Sequence, residues 1–238
     1  MVELSDSSDD APRYHLYWTW NSAAMSCHAA LEEIGVAYQL HFIDPEKPWP
    51  EDYLKLNPTK KVPTLIDTDG PGEDGFTIYP SAAILLYLAD CHPEAGLAPP
   101  PGSRQRGQCY QWLFFLAESL QAAYLNYYYP ERHTADAEGT PQVAERAALW
   151  IVELWGRLNT QIGDAPYLLG NDFGICDLYM QTMAVWNRDD SNLAAVAQFQ
   201  NVARTIERIE NRPAVARMLA AHIRPPSPDP AEVFNPSS

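Results

Sequence analysis

The chain has 238 residues, 46% of them hydrophobic, which is enough for a sizeable core in one large or two small domains. Its 31 acidic residues outnumber 16 basic ones, giving a net charge of −15, and no cluster of Lys or Arg stands out, so neither nucleic acid nor an anionic membrane is an expected partner. No apolar run approaches the roughly 18 residues of a membrane span, the N-terminus is acidic where a signal peptide is basic and then apolar, and the four cysteines (Cys27, Cys91, Cys109, Cys176) are widely spaced with no C-x-x-C. A disulfide framework and a zinc or other metal site are therefore not expected, and free thiols in a reducing cytoplasm are.

Residues 1–13 read as a disordered acidic tail. Tyr14 to Trp18 is aromatic-rich and predicts a strand. After the polar break Thr19 to Ser22, Ala23 to Ile34 carries a helical pattern with Gly35 as its stop. Tyr38 to Ile43 predicts a second strand, and strand, helix, strand in this span predicts a parallel pair. A Pro/Trp loop and a short, weak helix over 51–56 follow. Thr64 to Asp67 and Phe76 to Ile78 flank a Gly/Asp-rich turn and predict an antiparallel hairpin, and Ser81 to Cys91 has helical spacing. The layout is that of an α/β thioredoxin-like domain over 14–92. Residues 93–103, rich in proline, read as a linker. The pattern over 104–223 is all-helical: a long helix from Arg104 to Tyr129, then helices from Pro141 to Ile162, Gly174 to Asn187, about Leu193 to Asn211, and Pro213 to Ile223. Residues 224–238 read as an extended Pro-rich tail.

Two short runs carry more than fold. Asn57-Pro58-Thr59-Lys60-Lys61-Val62-Pro63-Thr64-Leu65 ends in a proline at the start of a strand, where it need not donate to the ladder and where a cis peptide costs least. A cis bond there turns the backbone N–H and C=O of Val62 toward an extended ligand. One hairpin later comes Pro80-Ser81-Ala82-Ala83-Ile84. Together these resemble the glutathione-binding half of the glutathione transferase superfamily, whose pattern is Asn-Pro-x-(Gly or Lys)-x-Val-Pro-x-Leu followed by (Glu or Gln)-Ser-x-Ala-Ile. Tyr167-Leu168-Leu169-Gly170 with Gly174-Ile175-Cys176-Asp177 resembles the same family's capping box, with glycine in place of Ser or Thr, and Asn211-Arg212-Pro213-Ala214-Val215 resembles its last helix entry. The likeness covers roughly residues 14–222. Pro80 departs from it: the family has an acid or amide there, which proline cannot replace as an acceptor for the γ-glutamyl ammonium.

The resemblance implies glutathione as co-substrate and a site for its thiolate, the nucleophilic form. A thiol has a reference pKa of about 8.5, so a hydrogen bond or a positive dipole at the sulfur is needed. Thr19-Trp20-Asn21-Ser22-Ala23 leads into the first helix, whose start supplies both. The zeta type's Ser-Ser-Cys falls on Asn21-Ser22-Ala23, while the omega and beta types' cysteines fall on Asn21 and Ala23, so no catalytic cysteine is present at either position. Asn21 is the expected sulfur-activating residue, with Ser22 second and Thr19 third; either of the first two also fits as a helix cap. Lys61, Val62, Pro63 and Ser81 are the expected glutathione contacts, Val62 through its backbone and Ser81 through a helix start suited to a carboxylate. A hydrophobic second substrate is expected between domains, walled by Trp20, Phe114, Glu118, Gln121, Tyr124 and Tyr128. The activity implied is attack on a hydrophobic electrophile or glutathione-dependent disulfide reduction, as in detoxification, in a homodimer, with a zeta-like isomerase as a variant suggested by Asn57-Pro58-Thr59-Lys60-Lys61-Val62-Pro63. The alternative is a non-catalytic binding or regulatory relative.

Overall fold

β1 (Tyr14–Trp18) buries Tyr14, Leu16 and Trp18 and leaves His15 and Tyr17 partly open, the period-2 signature of a strand with one face on a core. This computed structural model describes residues 12–70, 75–188, 190, 192–194 and 196–223. The acidic tail, all but its last two residues, the centre of the 69–75 turn and the Pro-rich tail lie outside the described residues. Arg13, counted with the tail by sequence, is fixed: its guanidinium donates to both carboxylate oxygens of the buried Asp67, at 2.8 and 2.7 Å.

α1 (Ala24–Ile34) stops where Gly35 takes φ 76° and its N–H bonds Leu31 O. β2 (Tyr38–Phe42) then pairs parallel to β1, Tyr38 opposite Tyr14. After α2 (Glu51–Leu56), β3 (Thr64–Asp67) runs antiparallel to β1, and β4 (Phe76–Ile78) antiparallel to β3. The sheet order is β2-β1-β3-β4, with α3 (Ser81–Cys91) completing the thioredoxin-like unit.

The remainder is helical. α4 (Arg104–Phe115) and α5 (Gln121–Tyr128) form one continuous run, but the stretch Leu116–Leu120 between them widens to a π-helical turn that the sequence did not signal. α6 (Thr140–Ile162) and α7 (Ile175–Arg188) follow the expected spans. α8 begins at Gln200 (Gln200–Glu210), not near Leu193. Residues before it answer to Asn187 instead: its side chain accepts from Val196 N at 2.9 Å and donates to Ala194 O at 3.3 Å, and among the described residues between α7 and α8 the helical piece is a 3₁₀ turn over Val196–Gln198. α9 (Pro213–Ala221) ends the described fold. Among the described residues no helix is long and apolar enough to cross a membrane.

α7 is buried along almost its whole length and packs against α1 and α3 as well as the helices around it, so one apolar core runs through both halves. Ion pairs reinforce the seam. Arg212 donates to both oxygens of Glu33 at 2.6 and 2.7 Å, and Arg217 to Glu32 at 2.6 Å. The connection over 93–103 is packed rather than free: Leu97 is buried, Pro99 O accepts from Arg106 Nη1, and Leu97 O accepts from Ile175 N at 2.9 Å.

Candidate functional site

The ladder brings the two sequence motifs to one place. Tyr17 pairs with Thr64, the last pair of the β1–β3 ladder, so the chain leaving β1 toward Thr19 and the chain entering β3 from Val62 lie at the same end of the sheet. Leu65 pairs with Ile78, so the chain leaving β4 toward Ser81 reaches the same end of the sheet. The entrance to α1, the Val62-Pro63 bend and the start of α3 therefore share one end of the sheet.

At the α1 entrance, Asn21 sits at φ 46°, a left-handed conformation that asparagine tolerates better than most residues. Ser22 is occupied: its hydroxyl donates to Thr19 O at 2.8 Å and its Oγ accepts from Ala24 N at 3.3 Å. It closes the turn into the helix, which leaves its proton engaged and favours the capping reading over the sulfur-activating one. Thr19 is different. Its Oγ1 is shut off from solvent and has no hydrogen-bond partner, one of eight buried side-chain N or O atoms so placed among the described residues. The first turn of α1 holds no acidic residue, so the positive end of its dipole is not neutralised from within the helix.

The Val62–Pro63 peptide is cis, as is Tyr79–Pro80, which the sequence did not signal. The loop before Val62 is held by a buried side chain. Asn57 Nδ2 donates to Lys61 O and Thr64 Oγ1 at 3.0 and 2.9 Å, while its Oδ1 accepts from Thr59 N and Thr59 Oγ1 at 3.0 and 2.6 Å. Tyr53 donates to Lys61 O at 2.5 Å. Lys60 takes φ 55°, and the Lys61 side chain projects into solvent. Val62 itself lies just before the ladder, whose first residue is Thr64. Asn57 was visible as part of the motif, but its task of fixing the loop was not.

Ser81 is the first residue of α3, almost fully buried, and the helix has no side-chain cap and no acid in its first turn. Tyr179, on α7, donates its phenol to Gln121 Oε1. Burial raises the Tyr179 phenol well above its usual range, with the neighbouring Ser81 hydroxyl pulling the other way and the charge of Glu118 adding to the rise. Tyr179 is a site neighbour that sequence reasoning missed, since nothing local marks it among the buried residues of α7.

The six expected walls of the second pocket do not all behave as walls. Tyr124 is fully buried and accepts from Trp155 Nε1 at 2.9 Å, so it is core, placed there by the inward stripe of α5. Tyr128 is 40% exposed and donates to Trp186 O at 2.9 Å. Gln121 bonds Tyr179, Glu118 is exposed on the π-helical stretch, and Phe114 is exposed on α4. Trp20 packs on Phe42 with ring centroids 4.2 Å apart. Two clefts open along α6, of about 480 Å³ beside Arg146 and Trp150 and about 410 Å³ beside Trp112 and Arg157; none of the six lines either. Among the described residues no three His, Cys, Asp or Glu side chains converge as a metal site would require.

Residues 12–90 match the family model described as "Glutathione S-transferase, N-terminal domain". The disulfide-bond oxidoreductase YfcG of Escherichia coli K12 is 29% identical over 193 residues, covering 79% of this chain and 86% of that protein. The glutathione S-transferase GstA of E. coli O157:H7 is 28% identical over 210 residues, covering 87% and 97%. Among solved structures, the beta-class glutathione S-transferase of Sphingomonas chungbukensis superposes with a TM-score of 0.74 at 27% identity, over 87% of this chain and 98% of that one. With the motifs gathered at one end of the sheet and a four-stranded α/β unit joined to a helical half, the chain resembles bacterial glutathione transferases in sequence and in fold, its residues 12–90 matching their N-terminal domain.

Proposed function

We propose that this protein is a glutathione-dependent enzyme, a transferase or disulfide reductase, whose thiolate is held at the start of α1. The observation that carries the site is the exposed, left-handed Asn21 at a helix start with no acid of its own, with the buried Thr19 hydroxyl beside it. Thr19 Oγ–H and the Asn21 amide are donors to the sulfur, and stabilising the thiolate lowers the thiol pKa toward neutrality. Ser22 keeps the turn in shape. The Val62 backbone pairs with the cysteinyl segment of glutathione, Lys61 meets the glycyl carboxylate, and Ser81 with the α3 start receives the γ-glutamyl carboxylate. Pro80 gives the ammonium no acceptor.

The bound thiolate attacks an electrophilic carbon, forming a C–S bond as a leaving group such as chloride departs with its electron pair, or attacks one sulfur of a disulfide, breaking the S–S bond and releasing one thiolate. A second glutathione then attacks the glutathionyl sulfur of the mixed disulfide, giving glutathione disulfide and the second thiol. Both routes run through glutathione's own sulfur: Cys27, the nearest cysteine along α1, is fully buried and its thiol is pushed up to about 12 by burial. The YfcG relative, named as a disulfide-bond oxidoreductase, supports the second route and GstA the first. Assembly as a homodimer and a reducing, cytoplasmic setting complete the reading, the latter fitting four free cysteines. The test is glutathione-dependent turnover of a chloronitroarene and of a small dialkyl disulfide, each by the purified protein and by Thr19→Val. Absence of turnover on both substrate classes, with glutathione still bound, overturns the enzyme reading in favour of a non-catalytic binder.

A further inference from the structure

Four cysteines are scattered along the sequence, yet two of them meet. Cys109 on α4 and Cys176 in the first turn of α7 are fully buried, with their sulfur atoms 3.8 Å apart, and Cys176 also donates to Cys109 O at 3.4 Å. Cys27 has Ser26 and Ser81 as its neighbours, and Cys91 is half-buried, so this is the one thiol pair in contact among the described residues. A disulfide needs the sulfurs at about 2.05 Å, which asks for an approach of roughly 1.8 Å without any change of partner.

We propose that Cys109 and Cys176 form a reversible intramolecular disulfide when the protein meets a hydroperoxide. The two thiols are not equivalent. Cys109 is held below the usual thiol range by the hydrogen bond with Cys176 and by the guanidinium of Arg106, one turn earlier on α4, whereas burial, the same bond and Asp177 push Cys176 up. Cys109 is thus the nucleophile and Cys176 the resolving thiol. The Cys109 thiolate attacks one peroxide oxygen, the O–O bond breaks, and a sulfenic acid and one water form. Cys176 sulfur then attacks the sulfenyl sulfur, the S–O bond breaks, and the oxygen leaves as a second water with the Cys176 proton. Two thiols are oxidised by two electrons and one hydrogen peroxide is reduced to two waters. Two equivalents of a small thiol reverse the step and leave as their own disulfide. Full burial selects an oxidant close to water in size over a bulky disulfide.

The bond would tie α4 to the first turn of α7, where Asp177 and Leu97 already converge, and would close a long stretch of chain. The experiment exposes the full chain to hydrogen peroxide, removes it, and alkylates the remaining thiols after denaturation. Intact mass is expected to show two alkylated cysteines where the reduced protein shows four, with a linked Cys109–Cys176 peptide that reductant abolishes. Cys27→Ser is expected to keep that peptide, and Cys176→Ser to lose it and accumulate sulfenic or sulfinic acid at Cys109. The melting temperature of the oxidised chain is expected to rise by several degrees. Four alkylated cysteines under conditions that oxidise free cysteine, or a linkage involving Cys27 or Cys91, would overturn the proposal.

Discussion

Two helix starts in this molecule, those of α1 and α7, solve the same problem in opposite ways. At α7 the donors around the first turn are matched from three sides. Asp177 Oδ2 accepts from Gly174 N and Oδ1 from Leu168 N, both at 2.9 Å, and Leu97 O takes Ile175 N. At α1 the chain places alanine at the cap position, no acid in the first turn, a left-handed asparagine and a buried hydroxyl without a partner. The first start is closed upon itself and belongs to folding. The second is left incomplete, and an incomplete helix start is a place for an anion.

That contrast breaks most severely at Asp177. Replacing it with alanine strands two buried N–H groups, at roughly 1–3 kcal/mol each, so Asp177→Ala is expected to lose about 2–6 kcal/mol in urea unfolding. An effect below 1 kcal/mol would mean that the α7 start is not held this way. Gly174→Ala belongs with it, because a Cβ there would lie 2.5 Å from Leu97 O.

At the other start the expected loss is in rate, not stability. Removing one preorganised donor to a developing or resident anion costs on the order of 10²-fold. Thr19→Val and Asn21→Ala are each expected to lower kcat/KM for glutathione-dependent turnover by about that factor, with the melting temperature within 2–3 °C of the parent, roughly the shift of a small stability change in a chain this long. Full activity in both variants would return the sulfur site to Ser22 or elsewhere.

A third prediction sits near the α1 body. His222 at the end of α9 is buried with both ring nitrogens unpartnered, 4.5 Å from the Trp18 ring and 5.4 Å from His28 by centroid. Around it lie His28 and Glu32 on α1, Tyr38 on β2 and Arg217 on α9; His28 Nε2 bonds the Tyr38 phenol, which donates to Glu32. Burial holds His28 down to about 4 and His222 to about 3. Above pH 6.5 neither state of the protein is charged there. Below it the unfolded chain takes up protons first, so stability falls with pH until the folded values are reached. Asp177, pushed up to about 7 by burial, works in the opposite direction in the same window. The difference between parent and His222→Leu cancels that term: between pH 7 and 5 the variant should lose about 2 kcal/mol less. Equal losses would show that His222 protonates as easily folded as unfolded.

The smallest effect is expected at Ser22. Ser22→Ala removes a local turn bond and should cost about 1 kcal/mol of stability and less than threefold in kcat/KM; a hundredfold loss would reverse the ranking of Thr19 and Ser22.

What could be read from the chain beforehand follows sequence distance. The Val62-Pro63 bend, the Gly35 stop and the Asp177 box are local patterns, set within a few residues, and each was legible. The α1 entrance was legible as a region, but Ser22 was ranked above Thr19, because which hydroxyl is already engaged depends on how the turn closes. Tyr124 was misread because an aromatic stripe looks the same whether it faces a pocket or a core. The beginning of α8 was misplaced because Asn187 captures Val196 from another helix. The meeting of Cys109 with Cys176, 67 residues apart, has no local sign at all.

Gly174 leaves room for Leu97 O, and that small accommodation fixes how the two halves are joined. The segment that carries the chain from one half to the other is pressed into the wall of α7, so it is masonry and not a tether. A tether would let the halves rock and would gate entry on the slow scale of domain motion. Here exposed side chains such as Phe114 turn in picoseconds to nanoseconds while the joint between the halves stays in place.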